Sequence, residues 1–232
     1  MAEATVGLKL EQKRFVVNPE SLGGMEKIKS TFNELKEEFP WLSGLGFFGS
    51  RTKGMESEGS DYDICVFYNM NRMPEEKQVL LGGTEDWDRI RERIEKGLGV
   101  KLDSRFSRLA GGLHINISKG ATNNRVENFI KAAEPFVNRK VDKTELMHAI
   151  GIPSTQDLYS QFFLAVGDEV YESRKYILDQ LRDHENGEEY FKMLMDALGW
   201  FERGLDQPSK PHIPYRRYPQ TIEQAEKYFL TK

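Results

Sequence analysis

Residues 44–69 read GLGFFGSRTKGMESEGSDYDICVFYN. Two apolar runs, Leu45 to Phe48 and Ile64 to Tyr68, bracket a polar, glycine-rich stretch. The second run is rich in residues that favour strands, so the segment reads as strand, Gly-Ser turn, loop and strand. Residues two apart on a strand project from the same face. Asp61 and Asp63 therefore point the same way, with Tyr62 on the other side. Two carboxylates side by side at a strand start repel each other. A divalent cation removes that repulsion, and Mg²⁺ accepts a few carboxylate oxygens together with substrate phosphate. Gly49 lets a phosphate approach the backbone closely, and exposed N–H groups with the Ser50 hydroxyl can donate to its oxygens. Arg51 or Lys53 can add a charge-assisted contact to a triphosphate; a solvated loop is the alternative for both.

On either side of this segment the periodicity is mostly helical. Asn18 and Pro19 read as a helix cap and first helical position. Ile28, Phe32, Leu35 and Phe39 follow at helical spacing, stopped by Pro40. Trp87, Ile90 and Ile94 mark another amphipathic helix, closed by Gly97 and Gly99. VKLDSRFSRL (100–109) and LHINIS (113–118) flank Gly111 and Gly112 and read as a hairpin. From about residue 122 strand signals fade. Helix starts are expected at Asp142 with Glu145, at Ser154, at Asp168, at Asn186 with Glu189, and at Thr221. The sequence thus predicts an α+β protein with a domain over residues 1–122, a mixed sheet flanked by helices, followed by a helical C-terminal domain over 123–232.

Composition narrows the function classes. The 232 residues carry a net charge of −4, so no global positive field draws the chain to nucleic acid. The basic, aromatic stretch KPHIPYRRYP (210–219) reads as a rigid connector rather than an RNA-binding arm. The one cysteine, Cys65, can form no internal disulfide, which points to a reducing compartment. It reads as a small buried hydrophobe. No signal-like leader and no apolar run near the ~20 residues of a membrane span are present, and a cytoplasmic protein is expected.

Gly49-Ser50, then Gly54, then Ser60-Asp61-Tyr62-Asp63 resembles the signature of the DNA polymerase beta-like nucleotidyltransferase superfamily. The form is similar to its small prokaryotic members, among them the aminoglycoside nucleotidyltransferases and the minimal nucleotidyltransferases. The resemblance covers residues 45–67 by motif and extends by fold pattern to about 118. It implies a nucleotidyltransferase fold and transfer of a nucleoside monophosphate, AMP being the expected one, from an NTP to an acceptor hydroxyl with release of pyrophosphate. It implies that Asp61 and Asp63 bind Mg²⁺ or Mn²⁺, and that Gly49, Ser50, Arg51, Lys53 and Ser60 hold the nucleotide, with ATP as the expected substrate.

The family also uses a third carboxylate on a later strand. Asn116, between Ile115 and Ile117, occupies the expected pattern but cannot act as a base. Asp103 on the preceding run can take the catalytic role instead, and His114 would share a face with Asn116 and could serve as base. If neither Asp103 nor His114 reaches the metal site, the chain would be a catalytically impaired nucleotide-binding or interaction module. The expected partners are the NTP and an acceptor, a small molecule or protein rather than RNA, with no membrane; a homodimer is admitted.

Overall fold

A computed structural model describes residues 24–48, 62–78, 84–102, 114–139, 143–150, 153–204 and 218–230. Its first helix, α1 (Met25–Glu38), buries Ile28, Phe32 and Leu35 on one side, as their spacing predicts. The chain turns at Phe39 and Pro40 into β1 (Leu42–Phe48). Next come β2 (Asp63–Tyr68), a short 3-10 turn (Met70–Arg72) and the four-residue α2 (Glu75–Gln78). α3 (Thr84–Leu98) buries Trp87, Ile90, Ile94 and Leu98 and packs on α1. β3 (His114–Asn116) follows, then helices α4 (Lys119–Ala133), α5 (Lys143–Ile150) and α6 (Pro153–Tyr159). A 3-10 turn (Ser160–Phe162) leads into β4 (Leu164–Val166), and α7 (Asp168–Arg182), α8 (Gly187–Gly204) and α9 (Ile222–Phe229) complete the described chain.

The four strands form one mixed sheet in the order β3-β2-β1-β4. β1 runs antiparallel to β2 and to β4, while β2 and β3 are parallel. The sheet divides two cores. On one side Leu45, Phe47, Ile64, Val66 and Tyr68 pack with the buried faces of α1 and α3. On the other, Phe48, Cys65, Phe67 and Ile115 pack with residues of α4 to α9. Sequence explains how a helix can lie so close to this second face. β1 reads LSGLGFF, with Leu45 and Phe47 on one side and Gly44 and Gly46, followed by Phe48, on the other. A Cβ at Gly44 would collide with the Val166 carbonyl and the Val170 side chain of α7, and one at Gly46 would collide with Cys65 and Phe67. Glycine at these two positions makes the space that the helix and the neighbouring strand fill.

Leu102 bridges Tyr62 in parallel, and His114 to Asn116 pair with Val66 to Tyr68 in parallel; the stretch between them, with the hairpin expected around Gly111 and Gly112, lies outside the described residues. One expectation changes: strand structure does not end near residue 122, because β4 pairs with β1 and brings the C-terminal half into the sheet. Its three residues are too few for periodicity to register. Among the described residues no helix is long and apolar enough to cross a membrane. The expected cap at Asn18 and Pro19 lies outside the described residues.

Candidate active site

β2 opens at Asp63, which stands directly opposite Phe48 on β1. Side chains alternate along a strand, and Cys65 and Phe67 are buried in the core formed with the C-terminal helices. Asp63 therefore projects on that same face. It is partly exposed, where Ile64 and the residues after it are buried, so it sits at the rim of the core. Tyr62 packs against the opposite core, on the α1 and α3 side. The alternation expected of Asp-Tyr-Asp holds for the two members that are described.

The neighbours of Asp63 come from both halves of the chain. The Phe48 ring stacks on Phe163, with centroids 4.8 Å apart and planes at 19°. Phe163 immediately precedes β4, and Leu164 pairs with Phe47. A row thus runs across the sheet from Asp63 through Phe48 to the start of β4. On the other side of β2, the Tyr62–Leu102 bridge aligns a segment in parallel with the strand that carries Asp63. Leu102 is buried in the α1 and α3 core, and its N–H donates to Glu95 Oε1 at 2.9 Å. The residue that follows Leu102 in sequence is Asp103.

Asp61, Asp103, Gly49, Ser50, Arg51, Lys53 and Ser60 lie outside the described residues. Among the described residues no group of three or more His, Cys, Asp or Glu side chains is placed to hold a metal ion. Asp63 fits a metal site in kind: a carboxylate at a strand start, half-open to solvent, two residues from a second aspartate in sequence.

The structure removes Asn116 and His114 from this site. Asn116 pairs with Tyr68, at the far end of β2. Tyr68 is five residue steps along the strand from Asp63, roughly 16 Å. Asn116 is occupied as a local organiser. Its Oδ1 accepts from the N–H groups of Met70 at 3.3 Å and Ser118 at 3.0 Å, and its carbonyl accepts from Arg125. His114 pairs with Val66, on the face opposite Asp63, and its ring stacks on Trp87 with centroids 3.7 Å apart. The pattern of a polar residue between two isoleucines had drawn attention to Asn116, but strand register sets its face and position. Asn116 therefore lies at the far end of β2 from Asp63, with its side chain engaged locally.

Cys65 is 1% exposed. Burial pushes its thiol far above the usual range, partly opposed by the Arg174 guanidinium. A thiol held protonated is neither nucleophile nor metal ligand, in keeping with the hydrophobe expected there.

Sequence reasoning also passed over a buried polar network behind the site. Arg174 of α7 is 6% exposed and donates to the carbonyls of Gln161 and Phe163, each at 2.5 Å. Ser173 donates to Gln161 Oε1 at 2.6 Å and lies 3.3 Å from the Thr122 hydroxyl on α4. Arg125 of α4 pairs with Asp157 of α6 at 2.7 Å. Burial raises the Asp157 carboxyl above its ordinary value, while Arg125 opposes that shift. The signal was present: Arg174 interrupts the apolar stripe of Val170, Ile177, Leu178 and Leu181, and a charge on a buried helix face requires partners.

A family model described as a nucleotidyltransferase domain matches residues 28–148, just over half of the chain. That span begins in α1, contains β1 to β3, and ends in α5. No curated protein and no solved structure gives a significant match.

Proposed function

The chain belongs to the nucleotidyltransferase domain family, and from that membership we propose that it transfers AMP from ATP to an acceptor hydroxyl. The acceptor oxygen forms a bond to the α-phosphorus, the bond between the α- and β-phosphates breaks, and pyrophosphate leaves. The observation that carries this reading is the position of Asp63. It is a partly exposed carboxylate at the start of β2, on the face that the C-terminal half covers.

Asp61 and Asp63 hold Mg²⁺ or Mn²⁺, which supplies charge neutralisation at the triphosphate. Gly49, Ser50 and Ser60 bind phosphate oxygens, and Arg51 and Lys53 add charge-assisted donors. Asp103 takes the proton of the acceptor hydroxyl. Two facts support Asp103 over the alternatives. Leu102 lies beside Tyr62 in a parallel bridge and packs on the Tyr62 side of the sheet, and Asp103 is the residue that follows it in sequence. His114 and Asn116 are accounted for elsewhere. The acceptor binds between the sheet rim and the turn that carries Phe163. The acidic net charge favours a small molecule or a protein side chain over RNA.

The test uses each of the four NTPs labelled at the α-phosphate, with Mg²⁺ and pools of small hydroxylated compounds, proteins or RNA. Label from ATP passing to the small-molecule or protein pool supports the reading. Label retained as NTP in every pool, or passing only to RNA, counts against it.

A further inference from the structure

Arg174 raises a question that packing does not answer. It lies on α7 among apolar residues and is 6% exposed. Its hydrogen-bond acceptors are backbone carbonyls, those of Gln161 and Phe163 at 2.5 Å and of Phe229 at 3.5 Å. The Phe229 ring lies 5.7 Å from the guanidinium carbon. Among the described residues no carboxylate lies within ion-pair distance of it. The groups that act on its charge are Tyr171, Cys65 and Tyr228, none of them a carboxylate. Burial lowers its pKa to about 10, so it stays charged at neutral pH. A buried ion without a counterion is costly, and an apolar residue would fill this place on the helix more cheaply.

One line of contact leads from Arg174 to Asp63. Through the backbone, it holds the carbonyl of Phe163, whose ring stacks on Phe48, and Phe48 stands opposite Asp63. The guanidinium thus sits behind the Phe48–Phe163 stack beside the Asp63 row, where a triphosphate would bring several negative charges.

We propose that Arg174 is a positioning residue for the transfer reaction: it fixes the Phe163 turn beside the Asp63 row and keeps a permanent positive charge behind the site that favours the bound triphosphate. The proposal rests on the functional reading above and adds a residue outside the matched family span. A single charge acting across about 10 Å in protein surroundings is worth roughly five- to tenfold in affinity.

The test compares Arg174→Lys, which keeps the charge and loses the forked grip on the carbonyls, with the neutral Arg174→Met and Arg174→Gln. Binding of Mg²⁺–ATP is measured by calorimetry, alongside thermal unfolding and amide exchange at residues 160–166. The neutral variants are expected to bind Mg²⁺–ATP about five- to tenfold more weakly, while the Lys variant binds within about twofold of wild type. All three speed exchange at Phe163 to Ala165. Should Met fail to fold, Gln supplies the neutral comparison. Equal affinity in the charged and neutral variants overturns the proposal, whether that affinity is normal or weakened. Wild-type protein that binds no Mg²⁺–ATP overturns the functional reading itself, a distinct outcome from variants that fail to separate by charge.

Discussion

Phe48 and Asp63 face each other across the β1–β2 ladder, and the Phe48 ring is stacked at 4.8 Å on Phe163 from the far half of the chain. The candidate metal-binding carboxylate is thus backed by an aromatic pair that neither half of the sequence supplies alone. Residues more than a hundred positions apart set the wall beside one side chain.

Replacing Phe163 with Ala removes a buried ring from this stack. The expected cost is about 3–5 kcal/mol of stability. Phe163→Leu, which keeps apolar volume, should cost ~1 kcal/mol. Urea unfolding of both variants checks this, and a loss below ~1 kcal/mol in the Ala variant would mean that the stack contributes little.

Gly44→Ala tests the approach of α7 to β1. The added methyl meets the Val166 carbonyl and the Val170 side chain, neither of which can withdraw without moving β4 or α7. Overpacking of this kind costs about 1–3 kcal/mol. The midpoint of denaturation should fall accordingly, and an unchanged midpoint would show that the helix sits further from the strand.

Asn116 and Asp103 should separate by phenotype. Asn116→Ala removes the acceptor of two backbone N–H groups and is expected to cost about 1–3 kcal/mol of stability, with kcat/KM for nucleotide transfer held within about twofold of wild type. Asp103→Asn should lower kcat roughly a hundredfold or more by removing the proton acceptor, with stability nearly unchanged. Steady-state kinetics beside thermal melts decide it; a catalytic collapse in Asn116→Ala at intact stability would return Asn116 to the site.

Cys65 gives a pH prediction with a definite sign. Burial holds the folded thiol protonated far above its ordinary range, whereas the unfolded thiol ionises near ~8.5. Above that pH the unfolded state binds fewer protons than the folded one, so stability falls as pH rises, by up to about 1.4 kcal/mol per unit from this group. Tyr68 and Tyr159, also raised chiefly by burial, add the same sign at higher pH. Stability curves from pH 7.5 to 9.5 should slope downward in wild type and flatten in Cys65→Ala. Equal slopes would mean that the thiol is not sealed from water.

The parts of the fold that sequence made legible are those whose pattern is long or chemically marked. The stripe of Ile28, Phe32 and Leu35 gave α1, and Trp87, Ile90 and Ile94 gave α3. Thr221 caps α9 as expected, its hydroxyl accepting from the Gln224 N–H at 3.2 Å. The apolar runs after Gly44 and Asp63 gave the strands β1 and β2, which the structure pairs antiparallel. Where a strand has three residues, as in β3 and β4, alternation carries too little information to set partner or direction. That is why periodicity alone places β4 in a helical region. Arg174 escaped as a site residue because its role depends on which strand its helix crosses. Of the expected site, Asp63 is described and projects to the expected face; its companions lie outside the described residues.

The most direct test of the central claim is single-turnover release of pyrophosphate from Mg²⁺–ATP in the presence of an accepting pool, comparing wild type with Asp63→Ala. The account predicts a loss of roughly a hundredfold or more in rate with a melting temperature near that of wild type, because Asp63 is a partly exposed rim residue to which the proposal assigns the metal. Pyrophosphate release at the wild-type rate in Asp63→Ala would contradict it.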